Sequence, residues 1–388
     1  MSEALINEKI LAWAVNRADM PLDAVAKKVP VKPERLAEWL EGIERPTFRQ
    51  AKSLSSVLHI PFGYLFLKEP PEEELPIPDL RTVGSDPSKR LDANFKDLLN
   101  DILFKRDWFK DYLIAYDDPK LAFVSRFSKD ADPEMVAADI RKTLYGTSGE
   151  PTTANWETHL RMLIGKAEDA GIWVIRNGIV GSNTHRPLSV SQFRGFAISD
   201  PLVPLIFING RDAKAAQIFT LAHELAHIWI GTSGVSNVFI GESDYGVSRA
   251  IEQKCNQIAA EFLVPKDGFA SRWDHESSVI SNTDRLARIY KVSRIVIARR
   301  AFDLGLIDES HYKSFYAFES AGWEEAKADS ESGGSFYNNL PLRNGIRFTN
   351  AVMTQAMSGR LLLKHAATLL NTQPATLMAF HNKTRAAQ

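Results

Sequence analysis

Thiols are almost missing from this chain. Cys255 is the single cysteine in 388 residues, which excludes an intramolecular disulfide and a zinc finger, since a finger needs several thiolates. Net charge is missing too. Lys and Arg number 47 against 48 Asp and Glu, a balance of −1, so no chain-wide field directs the protein to nucleic acid or to a membrane. The uncharged stretch Leu225 to Gly241 is too short for a membrane span and is rich in Gly, Ser, Thr and Asn. The opening MSEALINEKI carries acids and no apolar h-region, so it does not read as a secretory signal. A cytoplasmic protein with no membrane partner is expected.

What is present is ordinary globular composition, 44% hydrophobic and 24% charged, at a length that fits two or three domains. Residues 1–68 read as short helices. Ile6, Ile10, Leu11 and Ala14 share one helix face; a second helix runs from Leu22 to Lys28; a third starts at Pro33 and turns Leu36, Trp39 and Leu40 inward; Thr47 caps a fourth. Residues 69–90 are rich in Pro, Glu and Asp and read as a linker. Residues 91–150 are helical. Residues 151–270 mix a helix at 154–170 with strand-like runs at Ile172–Ile175, Phe193–Ile198 and Leu205–Asn209. Residues 271–388 return to helix, with helix–turn–helix-like pairs at 283–309 and 359–381, the second turning at Asn371–Pro374. The polar segment 324–336 reads as mobile.

Two short helices joined by a few residues, with others around them, is helix-turn-helix architecture. The first 68 residues resemble an XRE/Cro-type helix-turn-helix domain, with Met20-Pro21 in place of the usual small-residue entry to the second helix. Lys32 and Arg35 are its candidate DNA contacts. Ten Lys and Arg against eight Asp and Glu in this segment, with Glu34 and Glu38 beside those cations, oppose a phosphate backbone. Trp39 is expected in the core of this domain.

The informative segment is FTLAHELAHIWIG, residues 219–231. His223 and His227 are four apart, so on a helix they leave the same face one turn apart and reach one Zn²⁺ together. Glu224 lies beside the first ligand and is placed to act on water rather than on the metal. Asp212 is the expected cap of this helix and Gly231 its stop. A catalytic site needs a third protein ligand. In IEQKCNQIAAEFLVP, residues 251–265, Ile251, Cys255, Ile258, Ala259 and Phe262 form an apolar stripe, while Glu252 and Asn256 share another face. Glu252 is the favoured ligand and Asn256 the side chain that orients a ligand from behind. The competing carboxylate, Glu261, falls on the opposite side of the helix. Cys255 reads as a small buried helix residue.

These segments, with QFRGFAISD (192–200) ahead of them, TDRLARIYKVSRIVIARRAFDLGLI after them and the SFYNN…LRNGIRFTNAV tail, resemble the ImmA/IrrE family of metallopeptidases. The longer members carry an N-terminal XRE domain. The resemblance implies His223, His227 and Glu252 as zinc ligands, one Zn²⁺ per chain, and Glu224 as general base. Cys255 stands where the family often has Ala. The same ligands also accept Mn²⁺, Co²⁺ or Fe²⁺. Tyr245, Arg249 and His275 are candidate oxyanion donors, and the strand-like runs at 193–198 and 205–209 offer an edge for an extended substrate. The remaining His59, His159, His185, His311, His365 and His381 read as structural or solvated, and Arg299-Arg300 as lining a surface.

The expected fold is therefore α+β and mostly helical: an N-terminal all-α helix-turn-helix domain, a zincin-like metallopeptidase domain with a small sheet, and a C-terminal helical region. The expected activity is zinc-dependent endopeptidase cleavage of a protein substrate, a DNA-binding repressor or a neighbouring-gene partner, in a stress, mobile-element or phage-related locus. Operator DNA is a further expected partner. Two other readings stand beside it. One is a DNA-binding regulator or antitoxin of a toxin–antitoxin-type pair whose zincin-like domain binds a partner or senses; the other is a housekeeping aminopeptidase.

Overall fold

Capping residues set the helix boundaries at the start of the chain. The computed structural model describes residues 2–72, 77, 91–147, 149, 151–236, 247–326 and 336–386. α1 (Glu8–Ala18) starts where the Asn7 side chain accepts from the Lys9 N–H, and ends at Asp19 in the left-handed region. α2 (Leu22–Lys28) and α3 (Pro33–Leu40) follow. α4 (Phe48–Val57) opens with a capping box between Thr47 and Gln50, and a 3-10 turn spans Phe62–Phe66. Leu11, Ala14, Val25, Leu36, Trp39 and Leu54 pack into one core. Described residues within Met1–Pro76 and Arg90–Leu99 form one compact, all-helical unit; those within Ile77–Lys89 and Asn100–Gln388 form another. α5 (Ala93–Ala115) contributes residues to both. Most of the Pro- and Glu-rich segment lies outside the described residues.

The second unit is built around a small sheet. α6 (Pro133–Tyr145) and α7 (Trp156–Asp169) precede β1 (Trp173–Asn177), a short hairpin of β2 (Ile179–Val180) and β3 (Asn183–Pro187), then β4 (Gly195–Ile198) and β5 (Leu205–Asn209). α8 (Lys214–Trp229) leads into β6 (Gly234–Ser236) and α9 (Val247–Leu263). The strand order is β1-β5-β4-β6. β1 and β5 pair in parallel, with Ile175 opposite Phe207, whereas β4 runs antiparallel to both β5 and β6.

This order corrects one expectation. The runs at 193–198 and 205–209 become interior strands, so neither offers a free edge to a substrate. β6 covers the far side of β4, with Phe196 opposite Val235 and Gly195 opposite Ser236. Three residues of mixed type give no periodic signal, which is why β6 escapes a reading of the sequence.

α8 is buried on all sides from its second turn on, every residue from Gln217 to Trp229 being buried, as expected of a helix enclosed by a sheet and other helices. Ile206, Ile208, Leu221, Leu225, Ile258, Phe262 and Leu286 belong to the core around it. Asp212 does not cap α8 in the expected way. The cap position is Ala213, without a side-chain bond; Asp212 accepts from the Ala213 N–H and pairs with Arg194 at 2.8 Å.

Beyond the site helices come α10 (Lys266–Ala270), α11 (Val279–Tyr290), α12 (Arg294–Asp303) and α13 (Glu309–Ala326). The last group is α14 (Phe336–Asn344), α15 (Ile346–Met357), α16 (Leu363–Leu369) and α17 (Pro374–Ala386). Residues 324–326 of the polar segment thus end α13, and 327–335 lie outside the described residues. Arg299 and Arg300 part ways. Arg299 pairs with Asp303 at 2.9 Å on the surface, but Arg300 is buried, bonded to the Glu261 carboxylate and to the Val264 carbonyl. Glu261, turned away from Glu252, is a structural acid; Arg141 donates to its carbonyl as well.

α14 and α15 dock on β1. The Trp173 indole N–H donates to the Asn344 carbonyl at 2.6 Å and its ring stacks on Phe348 at 4.7 Å. A Cβ at Gly345 would sit 2.4 Å from that indole, and φ is +81° there, so glycine alone fits. The architecture is α+β and mostly helical. None of the described helices is long and apolar enough to cross a membrane.

Candidate metal centre

Helical spacing brings the two histidines of α8 to one side, and α9 lays a carboxylate across them. His223 Nε2 and His227 Nε2 lie 3.0 Å apart. Glu252 Oε2 is 3.1 Å from the first and Oε1 is 3.2 Å from the second. His223, Glu224 and His227 are fully buried, whereas the Glu252 side chain is 17% exposed.

Each imidazole is held from behind. His223 Nδ1 is 2.9 Å from Asn256 Oδ1; an amide oxygen only accepts, so Nδ1 carries the hydrogen and the Nε2 lone pair faces the group. His227 Nδ1 is 2.7 Å from the Thr232 hydroxyl. Thr232 is the residue the sequence reading missed. It follows the Gly231 stop, where the chain folds back beside its own last helical turn, and a hydroxyl five residues past a histidine carries no recognisable pattern.

The electrostatics follow from this packing. Burial resists charge on His223, but the Glu252 and Glu224 carboxylates outweigh it and hold the His223 pKa above its usual value. Burial and the neighbouring His223 keep His227 below its own. Burial would raise Glu252, yet the two imidazoles hold it down to about 2.

The donors suit a divalent cation. With both Nδ1 atoms occupied from behind, the two Nε2 atoms can turn lone pairs to one cation, and a carboxylate held ionised supplies an anionic third donor. Ligands about 2.0–2.1 Å from a tetrahedral Zn²⁺ lie about 3.3 Å from each other, close to the separations found here. The Cys255 thiol belongs to the same cluster, its sulfur and a ligand atom of each histidine lying within 4.8 Å of one another. Burial, with the charges of Glu252 and Glu224, pushes that thiol well above its usual pKa. The nearer, ionised Glu252 is therefore the better third donor, and Cys255 is a protonated neighbour.

Glu224 comes from the same turn of α8. A Cβ built on Gly195 of β4 would lie 3.0 Å from Glu224 Oε1 and 2.6 Å from Thr220 Cγ2. The missing side chain at Gly195 is what lets the β4 backbone approach this carboxylate.

The other nominated residues lie elsewhere. His275 is exposed between α10 and α11, Tyr245 lies outside the described residues, and nothing is described of the Arg249 side chain. Lys32 and Arg35 are exposed on the first unit, Arg35 paired with Glu44 at 3.2 Å. No curated protein matches the chain. Residues 344–383 match a domain of unknown function, DUF8813. Residues 167–302, which hold His223, Glu224, His227, Glu252 and Asn256, match the IrrE N-terminal-like domain of the peptidase M78 family.

Proposed function

We propose that this chain is a zinc-dependent endopeptidase with a regulatory role, cutting a DNA-binding repressor or a neighbouring-gene partner. The observation that carries this reading is the convergence of two imidazole Nε2 atoms and one ionised carboxylate on a buried point, with a second carboxylate one residue from the first ligand. His223, His227 and Glu252 would hold the cation, which supplies electrophilic polarisation of a peptide carbonyl and of water. Glu224 takes a proton from the attacking water on its carboxylate and returns it to the departing amine. Asn256 and Thr232 fix the two imidazoles so that neither ring turns during the reaction. The first unit serves as a docking module for a similar helical domain of the substrate.

The test compares wild type with Glu224→Gln. Both should retain about one zinc per chain, and only the wild type should cut helix-turn-helix or toxin proteins encoded beside its gene, with a rate loss of at least about 10²-fold in the variant. Zinc in both proteins with no cleavage by either, while Glu224→Gln still controls its promoter or neutralises its neighbour, would replace this reading with that of a regulator or antitoxin.

A further inference from the structure

Acidic residues stop abruptly near the end of the chain. From Asn344 to Gln388 there is no Asp or Glu, against five Lys and Arg: Arg347, Arg360, Lys364, Lys383 and Arg385. From the start of α2 to just beyond α3, by contrast, residues 22–45 hold five Lys and Arg and five Asp and Glu. The two helix pairs differ in charge although they are similar in form.

The acid-free segment folds as three helices. Ala366, Ala367, Leu369, Leu370 and Leu377 are buried between α15, α16 and α17. The four-residue turn from Leu370 to Gln373 fits the short connection of a helix-turn-helix pair. Asn371 makes the turn in the left-handed region at φ 50°. Its carbonyl accepts from Ser182 Oγ at 2.5 Å, and its amide donates to Asp101 Oδ2 at 2.8 Å. Asp101 is itself paired with Lys105 at 2.7 Å, so that carboxylate adds little negative field. The β2–β3 hairpin, which carries Ser182, is thereby held against the turn, and the whole stretch 170–199 likewise has no Asp or Glu.

With the turn tied down, α17 presents one face outward. Ala375, Met378, Ala379, Asn382 and Lys383 are exposed, at spacings that form a single helical stripe. Its first turn holds no acid, and Lys364, His365 and Thr368 are exposed on α16. Thirteen residues give α17 a length of about 20 Å, enough to cross a major groove about 12 Å wide. Small alanines allow close approach to base edges, Asn382 is suited to adenine, and Lys383 near the end of α17, with Lys364 on α16, is placed to meet phosphates.

We propose that α16, the Leu370–Gln373 turn and α17, flanked by the β2–β3 hairpin, form a double-stranded DNA-binding surface, with α17 as the helix that enters the major groove. This places DNA contact at the C-terminal end of the chain rather than on Lys32 and Arg35. It is independent of the peptidase reading, and Glu224→Gln should bind DNA as the wild type does.

The full-length protein would be titrated into a fluorescent 30-base-pair duplex of mixed sequence at several salt concentrations. Wild type should bind, with affinity falling as salt rises. Lys364→Ala with Lys383→Ala should bind roughly tenfold more weakly at low salt and lower the logarithmic salt slope by up to about 2. Ala379→Glu, a charge on the outward face, should bind the duplex at least tenfold more weakly while zinc content and circular dichroism stay at wild-type values. Lys32→Ala with Arg35→Ala should bind within about twofold of wild type. The proposal is overturned if wild type fails to bind duplex at low salt, if both C-terminal variants bind as wild type, or if only the N-terminal variant loses binding. Preference for a single-stranded RNA of equal length would also overturn it.

Discussion

At His223 and His227 the group behind each ring matters as much as the ring. Asn256 Oδ1 and the Thr232 hydroxyl occupy the two Nδ1 positions at 2.9 and 2.7 Å, which leaves both Nε2 atoms to a cation. Replacing Asn256 with Ala should lower zinc affinity about 10–100-fold without unfolding the chain, as a competition titration against a chelator would show. An unchanged affinity would make that contact incidental. The clustering of these side chains was legible in sequence because helical spacing fixes it: residues four apart on α8, and Glu252 with Asn256 on one face of α9. Thr232 was not legible because it reaches His227 by a chain reversal. The same holds for Arg300 and Glu261, which lie 39 residues apart and meet only once α9 and α12 pack. Arg300 consequently read as a surface residue.

Among the elements, the junction between α7, β1 and α15 is held by one acid. Glu168, at 4% exposure, accepts from the Val174 N–H at 3.2 Å and from the Arg347 N–H at 2.8 Å, closing the start of α15. Burial raises its pKa to about 7 against the pull of those N–H groups. The folded chain therefore keeps a proton that the unfolded chain releases above the usual carboxyl value of 4.5. Stability from this group is full below that value and is lost as pH rises towards about 7, by up to about 3 kcal/mol. Denaturant titrations of wild type between pH 5 and pH 8 should show this decline, and Glu168→Gln should flatten it. Parallel pH profiles for the two proteins would remove Glu168 as the cause. Helix starts were legible where a cap announces them, as at Thr47 and Pro33. β6 and the interior position of β4 were not, since strand order depends on which segments meet, and three residues carry no periodicity.

At the scale of the whole molecule, the chain divides into two compact units, and the proposed metal ligands all belong to the second. A cation that binds only the folded form stabilises the unit that holds it, by about 2.7 kcal/mol at a hundredfold excess over its dissociation constant. Calorimetry with and without a chelator should therefore move the transition of the second unit and leave that of the first in place. A shift of both together would show that they unfold as one cooperative body. The mostly helical, α+β character and the presence of a small sheet were evident from periodicity. The cationic character of α16 and α17 was present in the composition as well, but a balanced total charge concealed it, because acids elsewhere in the chain cancel it in the sum.

Cys255 is the single thiol of the chain and is wholly buried between the site helices. A thiol reagent can modify it only when α8 and α9 separate, so its labelling time course is a clock for opening at this one place. No dye or spin label needs to be engineered elsewhere, and no other thiol competes for the signal. The protein comes with its own probe of how often the centre breathes, and of whether zinc or a bound partner slows it.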